Sequence, residues 1–418
     1  MTSKLEELIA KLCPNGVEYK KIGDIALVTK LAGYEFTKYV QYSESGRFIA
    51  LRGLNVKNGK LVLKDVKYID SSDLSKLNRS KLHIGDMLFT YVGTIGQVAL
   101  IDKNDKYYLA PNVALIRYHK ENIIPKYMRY CFQSSDFVNN QINRLLQSSS
   151  MKNIPMNKIR EFEVPVPPIE VQSEIVRILD TFTELTAELT AELTARKKQY
   201  EYYRDTLLDL RDDGNSSVIS LDDVIISLNT GLNPRQFFKL NTPDAKNYYI
   251  TIREMRDGNI ITTENTNLIN DDAMKLCNNR SNLEKDDILF SGTGTIGETV
   301  LIKETPSSWN IKEGVYAIKP NSKVINPKYL RYFLTSSQAK SEYMKKIVGG
   351  TVKSIPMKEL RKIKLILPKM EKQIFIAEIL DRFDALCNDL TQGLPAEIEA
   401  RRKQYEYYRN QLLTFKRA

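Results

Sequence analysis

Short apolar runs broken by turn residues alternate, along this chain, with two long stretches of helical periodicity. Residues 86–90, 98–101 and 113–117 read as strands, as do 287–291, 299–302 and 315–319. A helix is expected after each set, opening at Pro125 and at Pro327, because proline is well tolerated in the first helical turn. From Ile169 to about Arg211 there is neither glycine nor proline. Leu179, Phe182, Leu185, Leu189, Leu193 and later Leu207 and Leu210 form an apolar stripe at three- and four-residue steps. Some 40 residues at this rise make a rod of about 60 Å. Such a rod is unstable alone in water and needs a partner along its stripe. The partner is expected from 371 to about 415, through Ile376, Ile379, Leu380, Phe383, Leu386, Leu390, Leu412 and Leu413. At the other end of the chain, Leu5, Leu8, Ile9 and Leu12 share one face of a helix over 3–12, expected to pack at the open end of the rods.

The pattern is stated twice. Ala195-Arg196-Lys197-Lys198-Gln199-Tyr200-Glu201-Tyr202-Tyr203-Arg204 returns as Ala400-Arg401-Arg402-Lys403-Gln404-Tyr405-Glu406-Tyr407-Tyr408-Arg409, 205 positions on. Asp86-Met87-Leu88-Phe89 followed by Gly93-Thr94-Ile95-Gly96 returns as Asp287-Ile288-Leu289-Phe290 followed by Gly294-Thr295-Ile296-Gly297, 201 positions on. A period this long marks a duplicated domain rather than a solenoid. The expected fold is mixed α/β (α+β): two similar lobes separated by a long antiparallel two-helix coiled coil, related by a pseudo-two-fold axis. The expected boundaries are 1–16 for the N-terminal helix, 17–160 and 218–364 for the lobes, and 161–217 and 365–418 for the helical regions. Away from the shared motifs the lobes diverge; 71–79 and 270–280 have little in common. The second rod carries Thr391-Gln392-Gly393-Leu394-Pro395, a helix stop followed by a proline start. The first carries Thr186-Ala187-Glu188-Leu189 and then Thr190-Ala191-Glu192-Leu193, a four-residue unit in tandem.

Composition points to a partner. The 418 residues carry a net charge of +11 and the pI is near 9.1, which favours a polyanion. Cys13, Cys131, Cys277 and Cys387 are too scattered for a disulfide framework or a zinc clip, which fits a reducing cytoplasm. No stretch of eighteen apolar residues is present to span a membrane, and the first residues lack a signal-peptide core.

Catalytic signals are thin. His83 and His119 are the only histidines and sit in no triad or ligand pattern, so neither a catalytic nor a metal residue is expected. The Gly-Thr-Ile-Gly loop has no Gly-Lys-Ser/Thr after it, which excludes a Walker site. Tyr91 stands where the second copy has Gly292, so a dinucleotide fingerprint is absent from the first copy. Binding chemistry remains. The loop, with Thr94, Thr293 and Thr295, suits phosphate or sugar contact and equally suits a plain tight turn. Arg52, Asn55 and Lys57 follow one apolar run, and Arg253 and Arg256 follow another, where such side chains reach base edges or form internal ion pairs. Lys152 and Asn153, with Lys353 and Ser354, lie in small, basic turns that admit a phosphate strand. Tyr91, Asn112, Asn310 and Lys312, beside these loops, complete the expected DNA-binding set. Tyr200, Tyr203, Tyr405 and Tyr408 are expected to pack the coil or a partner protein.

Taken together, these motifs resemble the specificity subunit of type I restriction-modification systems, over essentially the whole chain. The most specific marks are Ile154-Pro155-Met156, the run Val164-Pro165-Val166-Pro167-Pro168 through Asp180, and the 196–204 segment. The second unit matches through Ile355-Pro356-Met357, Leu367-Pro368, 373–381 and 394–409, with Pro368-Lys369 where the first has Pro167-Pro168. The resemblance implies two target-recognition domains, each reading half of an asymmetric bipartite DNA sequence. It implies helices that set the unread spacer and dock two methyltransferase subunits, which bring S-adenosylmethionine. Restriction subunits using ATP and Mg would complete the complex, and this chain would hold no cofactor and perform no catalysis. A stand-alone nucleic-acid enzyme and a protein-only coiled-coil adaptor are the rival readings.

Overall fold

A computed structural model describes residues 3–119, 121–147, 153–211, 216–389 and 391–418. The chain divides into two compact units: Met1–Glu188 with Glu399–Ala418, and Leu189–Ile398.

In the first unit the main sheet is antiparallel, in the order Ala26–Lys30, Val113–Tyr118, Met87–Thr90, Val98–Leu100. Met87, Leu88 and Phe89 are all buried because the sheet is covered on both faces. Met87 and Phe89 pack with Phe132, Phe137 and Phe162, while Leu88 faces Leu51, Leu82 and Leu109. A second sheet, Lys67–Tyr68, Ile49–Leu51, Tyr107–Leu109, holds one parallel pair, the last two strands. Helix Pro125–Gln133 opens at its proline, as expected, and buries Tyr127, Met128, Tyr130, Cys131 and Phe132.

The second unit repeats this topology strand for strand. Its main sheet runs Ile225–Thr230, Val315–Pro320, Ile288–Ser291, Thr299–Leu301. Its second sheet runs Leu268–Ile269, Asn247–Ile250, Trp309–Ile311, again with the last two parallel. Helix Pro327–Thr335 again opens at the proline. Each unit also has a hairpin turning on two positive-φ residues, Asn58-Gly59 and Asp257-Gly258, the geometry of a type I′ turn. The divergence seen in the sequence is structural. The short 3-10 turns Leu74–Lys76 and Asn78–Ser80 stand where the second unit has helix Asp271–Ser281, capped by Asn270 Oδ1 at 3.0 Å from the Ala273 N–H.

The long helix is Ile169–Leu208. In the first unit Phe182 stacks on Tyr408 at 5.4 Å, and in the second Tyr203 stacks on Phe383 at 5.3 Å. The second rod is two helices, Met370–Asn388 and Leu394–Leu412. Asp389 ends the first by accepting from the Thr391 and Gln392 N–H groups at 2.7 and 3.2 Å. Gly393 sits where a Cβ would meet the Ala385 carbonyl at 2.5 Å, so the break expected at 391–395 has a steric basis. Leu390, counted in the apolar stripe, lies outside the described residues. The stripe itself is unevenly covered. Leu179 is fully buried while Leu185 is 38% exposed, because helices paired one to one shield only part of each side chain. No helix among the described residues is long and apolar enough to cross a membrane.

Two repeated polar positions join the start of each rod to the proline-opened helix of its unit. Gln172 accepts from the Ile124 N–H at 3.0 Å and donates to the Asn122 and Pro167 carbonyls. Gln373 accepts from the Asn326 N–H at 2.8 Å and donates to the Val324 and Pro368 carbonyls. Asp180 binds Tyr130 Oη at 2.6 Å and Lys126; Asp381 binds Tyr332 Oη at 2.6 Å and Lys328.

The N-terminal helix Ser3–Leu12 buries Leu5 and pairs Lys4 with Glu174 at 3.1 Å. Hydrogen bonds from Arg177, opposed by burial and helped by Lys4, hold the buried Glu174 carboxyl down to about 2. A carboxyl lowered from 4.5 stabilises the fold above that value and loses the contribution as pH falls toward 2. Urea unfolding of the first unit should therefore weaken more steeply from pH 6 to pH 3 in the native chain than in Glu174→Gln. Equal slopes would remove Glu174 from the account.

Candidate nucleic-acid interface

In both units the Gly-Thr-Ile-Gly segment closes a hairpin of the main sheet. Thr90 Oγ1 donates to the Thr94 carbonyl at 2.5 Å and accepts from the Gln97 N–H at 2.9 Å. Ser291 Oγ does the same with Thr295 at 2.5 Å and Glu298 at 2.8 Å. Gly93, Gly96, Gly294 and Gly297 all have positive φ, so the glycines answer to the turn. The turn does not use the side chains of Thr94 and Thr295, which are exposed at its tip. A second segment is stitched beside each loop. Val92 bridges Asn153 and the Ile154 N–H donates to the Tyr91 carbonyl at 3.0 Å. Thr293 bridges Ser354 and the Gly294 N–H donates to the Lys353 carbonyl at 2.9 Å.

A cavity opens beside each loop. In the first unit it measures about 500 Å³, and Arg52, Thr94 and Asn112 line it with Phe36, Tyr42 and Leu54. In the second it measures about 530 Å³, and Thr293, Lys312 and Ser354 line it with Asn233, Arg235 and Glu313. Arg52 donates through Nη2 to the Asp65 carboxylate at 2.6 Å, while its buried Nε meets no acceptor among the described residues. Lys57, Arg253, Arg256 and Lys353 are exposed but line neither cavity; the Arg256 Nε donates to the Arg253 carbonyl at 3.0 Å. Lys152 lies outside the described residues.

Tyr91 is half-buried beside the first loop, with Lys30 Nζ 5.5 Å from its ring. Its counterpart is Gly292, where a Cβ would meet the Tyr316 ring at 2.2 Å. Tyr316 pairs with Phe290 as Ala114 pairs with Phe89. The same space is thus filled by a tyrosine from one strand in the first unit and from the neighbouring strand in the second.

Two expected contact residues serve the fold instead. Asn55 is fully buried, accepting from the Arg52 N–H at 3.0 Å and donating to the Val62 and Asp65 carbonyls. Asn310 is fully buried, bound to Ser281 Oγ, Asn278 Oδ1 and the Ile311 N–H. Buried amides must be satisfied internally, and at 0% exposure neither side chain can reach a base edge. The repeated aspartates of the Asp-x-Leu-Phe motif also hold turns. Asp86 accepts from the His83 N–H at 2.7 Å and from Arg117. Asp287 accepts from the Glu284 N–H at 2.9 Å, and burial pushes its carboxyl up to about 6, with Lys319 3.8 Å away.

The tyrosine sets divide by helix face. Tyr200 is buried, and Tyr203 and Tyr408 stack on phenylalanines of the facing helix. Tyr405 is half-buried, with Arg409 5.3 Å from its ring. Packing inside each unit accounts for all four, Tyr200 lying edge-on to Tyr332 of helix Pro327–Thr335. The tyrosines turned furthest to solvent are Tyr202 and Tyr407, 67% and 58% exposed against 39% for Tyr203, and both lie outside the expected partner-binding set. Sequence reasoning also passed over Arg235 and Asn233. Their local signal was legible in Asn233-Pro234, a capping residue followed by a first-turn proline, and the Asn233 side chain does cap helix Pro234–Phe237. Phe36 and Tyr42 carried no such signal.

Comparison with known proteins adds three findings. The family model for the type I restriction modification DNA specificity domain matches twice, over residues 14–196 and 215–400. The chain is 34% identical over 299 residues to the type I restriction enzyme EcoR124I/EcoR124II specificity subunit of Escherichia coli, covering 69% of this chain and 70% of the relative. It is 26% identical over 360 residues to the type I restriction enzyme MpnII specificity subunit of Mycoplasma pneumoniae, covering 68% of this chain and 96% of that one. Among solved structures, a chain of a type I R-M system superposes with a TM-score of 0.60 at 17% identity, over 96% of this chain and 98% of that one. The type I restriction-modification S subunit from M. genitalium gives 0.52 at 16% identity, over 96% and 97%.

Proposed function

We propose a division of labour for this chain, which belongs to the type I restriction-modification DNA specificity family and is a DNA sequence-recognition subunit. Each unit reads one half of an asymmetric, bipartite duplex target, and the chain itself carries no catalysis. The observation behind this reading is the pair of cavities beside one duplicated loop. Their frames agree strand for strand, and their linings differ residue by residue. A conserved scaffold under unlike surfaces is what two independent readers of unlike sequences require.

Within this reading Lys57, Arg253, Arg256 and Lys353 contact phosphates, which positions the protein without specifying bases. Arg52, Thr94, Asn112 and Asn153 in one unit, and Thr293, Thr295, Lys312 and Ser354 in the other, face the groove. The helices set the unread spacer and dock two methyltransferase subunits, with Tyr202 and Tyr407 as the exposed aromatic contacts. Those subunits supply S-adenosylmethionine, and restriction subunits supply ATP- and Mg-dependent cleavage, all within the cytoplasm. The specificity subunits among its relatives support this assignment.

The test is DNA binding by the chain assembled with its methyltransferase subunits, followed across salt concentration. Neutralising 6–10 phosphates should give a log–log slope on the order of −5 to −9. A flat salt response would sink the nucleic-acid reading, and so would equal affinity for every sequence tried.

A further inference from the structure

The two cavities differ in electrostatic character, and the difference bears on which bases each unit can take. In the second unit Arg235 and Lys312 are both exposed, and neither side chain has an ion pair or hydrogen bond among the described residues. Next to Lys312 in the chain sits Glu313, also exposed, whose carboxylate is met by Asn233 Nδ2 at 2.9 Å. That bond ties helix Pro234–Phe237 to the loop carrying Lys312, and the Leu232–Lys312 bridge ties them again. The two cations and the carboxylate are therefore held on one stitched frame, not on separate free loops.

A cavity meant only for phosphate gains nothing from a carboxylate, which repels the backbone. Cations beside a carboxylate match a different target. In the major groove guanine offers two acceptors, O6 and N7, to arginine or lysine, and its partner cytosine offers the N4 amino group to glutamate. The first unit lacks this pattern. Its one cavity-lining cation, Arg52, is committed to Asp65, and Phe36, Tyr42 and Leu54 make the surroundings aromatic and aliphatic.

We infer that the second unit's half-site contains a G·C pair read directly by this group, with Arg235 and Lys312 donating to the guanine and Glu313 accepting from the cytosine amino group. The inference rests on the half-site reading proposed above and sharpens it to named bases.

The experiment maps modified bases on a randomised duplex library, using the complete complex with native chain, Arg235→Ala or Glu313→Gln. The native complex should show a bipartite motif with a G·C pair in the affected half. Arg235→Ala should reduce discrimination at that one pair by about 5- to 150-fold, the range for one bidentate base contact. Glu313→Gln should relax the same pair, and the other half-site should stay as stringent as before. A half-site of A·T pairs alone overturns the inference, as does unchanged stringency in both variants. Equal weakening of both halves overturns it too, because the cations would then be general phosphate contacts. A native complex that modifies no bipartite motif would instead sink the half-site reading itself.

Discussion

Gln373→Ala is expected to destabilise the second unit by about 2–4 kcal/mol, because it removes a buried side chain whose hydrogen bonds tie three backbone groups together. Gln373 is 1% exposed. Its carbonyl holds the Asn326 N–H at 2.8 Å and its amide holds the Pro368 carbonyl at 2.9 Å. Asn326 in turn caps helix Pro327–Thr335, accepting from the Lys328 and Tyr329 N–H groups. The substitution leaves the Asn326 N–H and the buried Pro368 carbonyl without this partner and adds a cavity, and each buried unpaired group costs about 1–3 kcal/mol. Trp309, the only tryptophan, lies in this unit, so its fluorescence during urea unfolding reports the transition directly. Gln373→Glu keeps an acceptor for the Asn326 N–H but sets a buried carboxylate against the Val324 and Pro368 carbonyls, and should destabilise at least as much. A loss below about 0.5 kcal/mol for Gln373→Ala would mean that water or a neighbour replaces the amide.

Inserting one further Thr-Ala-Glu-Leu unit after Leu193 is expected to change the spacing of the target and leave its bases alone. Four residues add about 6 Å of helix and turn it about 40° beyond a full turn. The site tolerates the change, since Leu185 is exposed and Leu189 and Leu193 are only half-buried, so little packing is at stake. Neither cavity is touched. One base pair occupies about 3.4 Å of duplex, so the unread gap should widen by one or two pairs, with one expected after twisting absorbs the rest. Modified-base mapping of the assembled insertion variant reads this directly. Full activity with an unchanged gap would show that the helices do not measure the spacer.

Much of the fold was legible because its signals are local. The six expected strands, the helices opening at Pro125 and Pro327, the N-terminal helix and the forty-residue rod rest on periodicity, proline position and the absence of breakers. The hairpin turns at Asn58-Gly59 and Asp257-Gly258 carry an equally local signal in their dipeptides. The duplication was visible as repeated strings, but the work of the repeated Gln172, Gln373, Asp180 and Asp381 was not. Their partners lie 47–54 residues away in sequence and meet them only once the two helices have packed together.

The site divides along the same line. Composition and the repeated loops pointed to a polyanion and to the part of each unit where the cavities open. Burial then decided which polar residues remained for a ligand: Asn55 and Asn310 were taken into the fold, while Arg235, roughly 75 residues from its cavity neighbour Lys312, was left free. Helical phase decided the tyrosines, turning Tyr200 inward and Tyr202 outward from one short motif. The sequence by itself determined the duplicated α/β frame and its rods, since those follow from the spacing of apolar residues along the chain. Only the tertiary structure decided which side chains face the cavities, since that depends on segments far apart in sequence competing for the same buried hydrogen bonds.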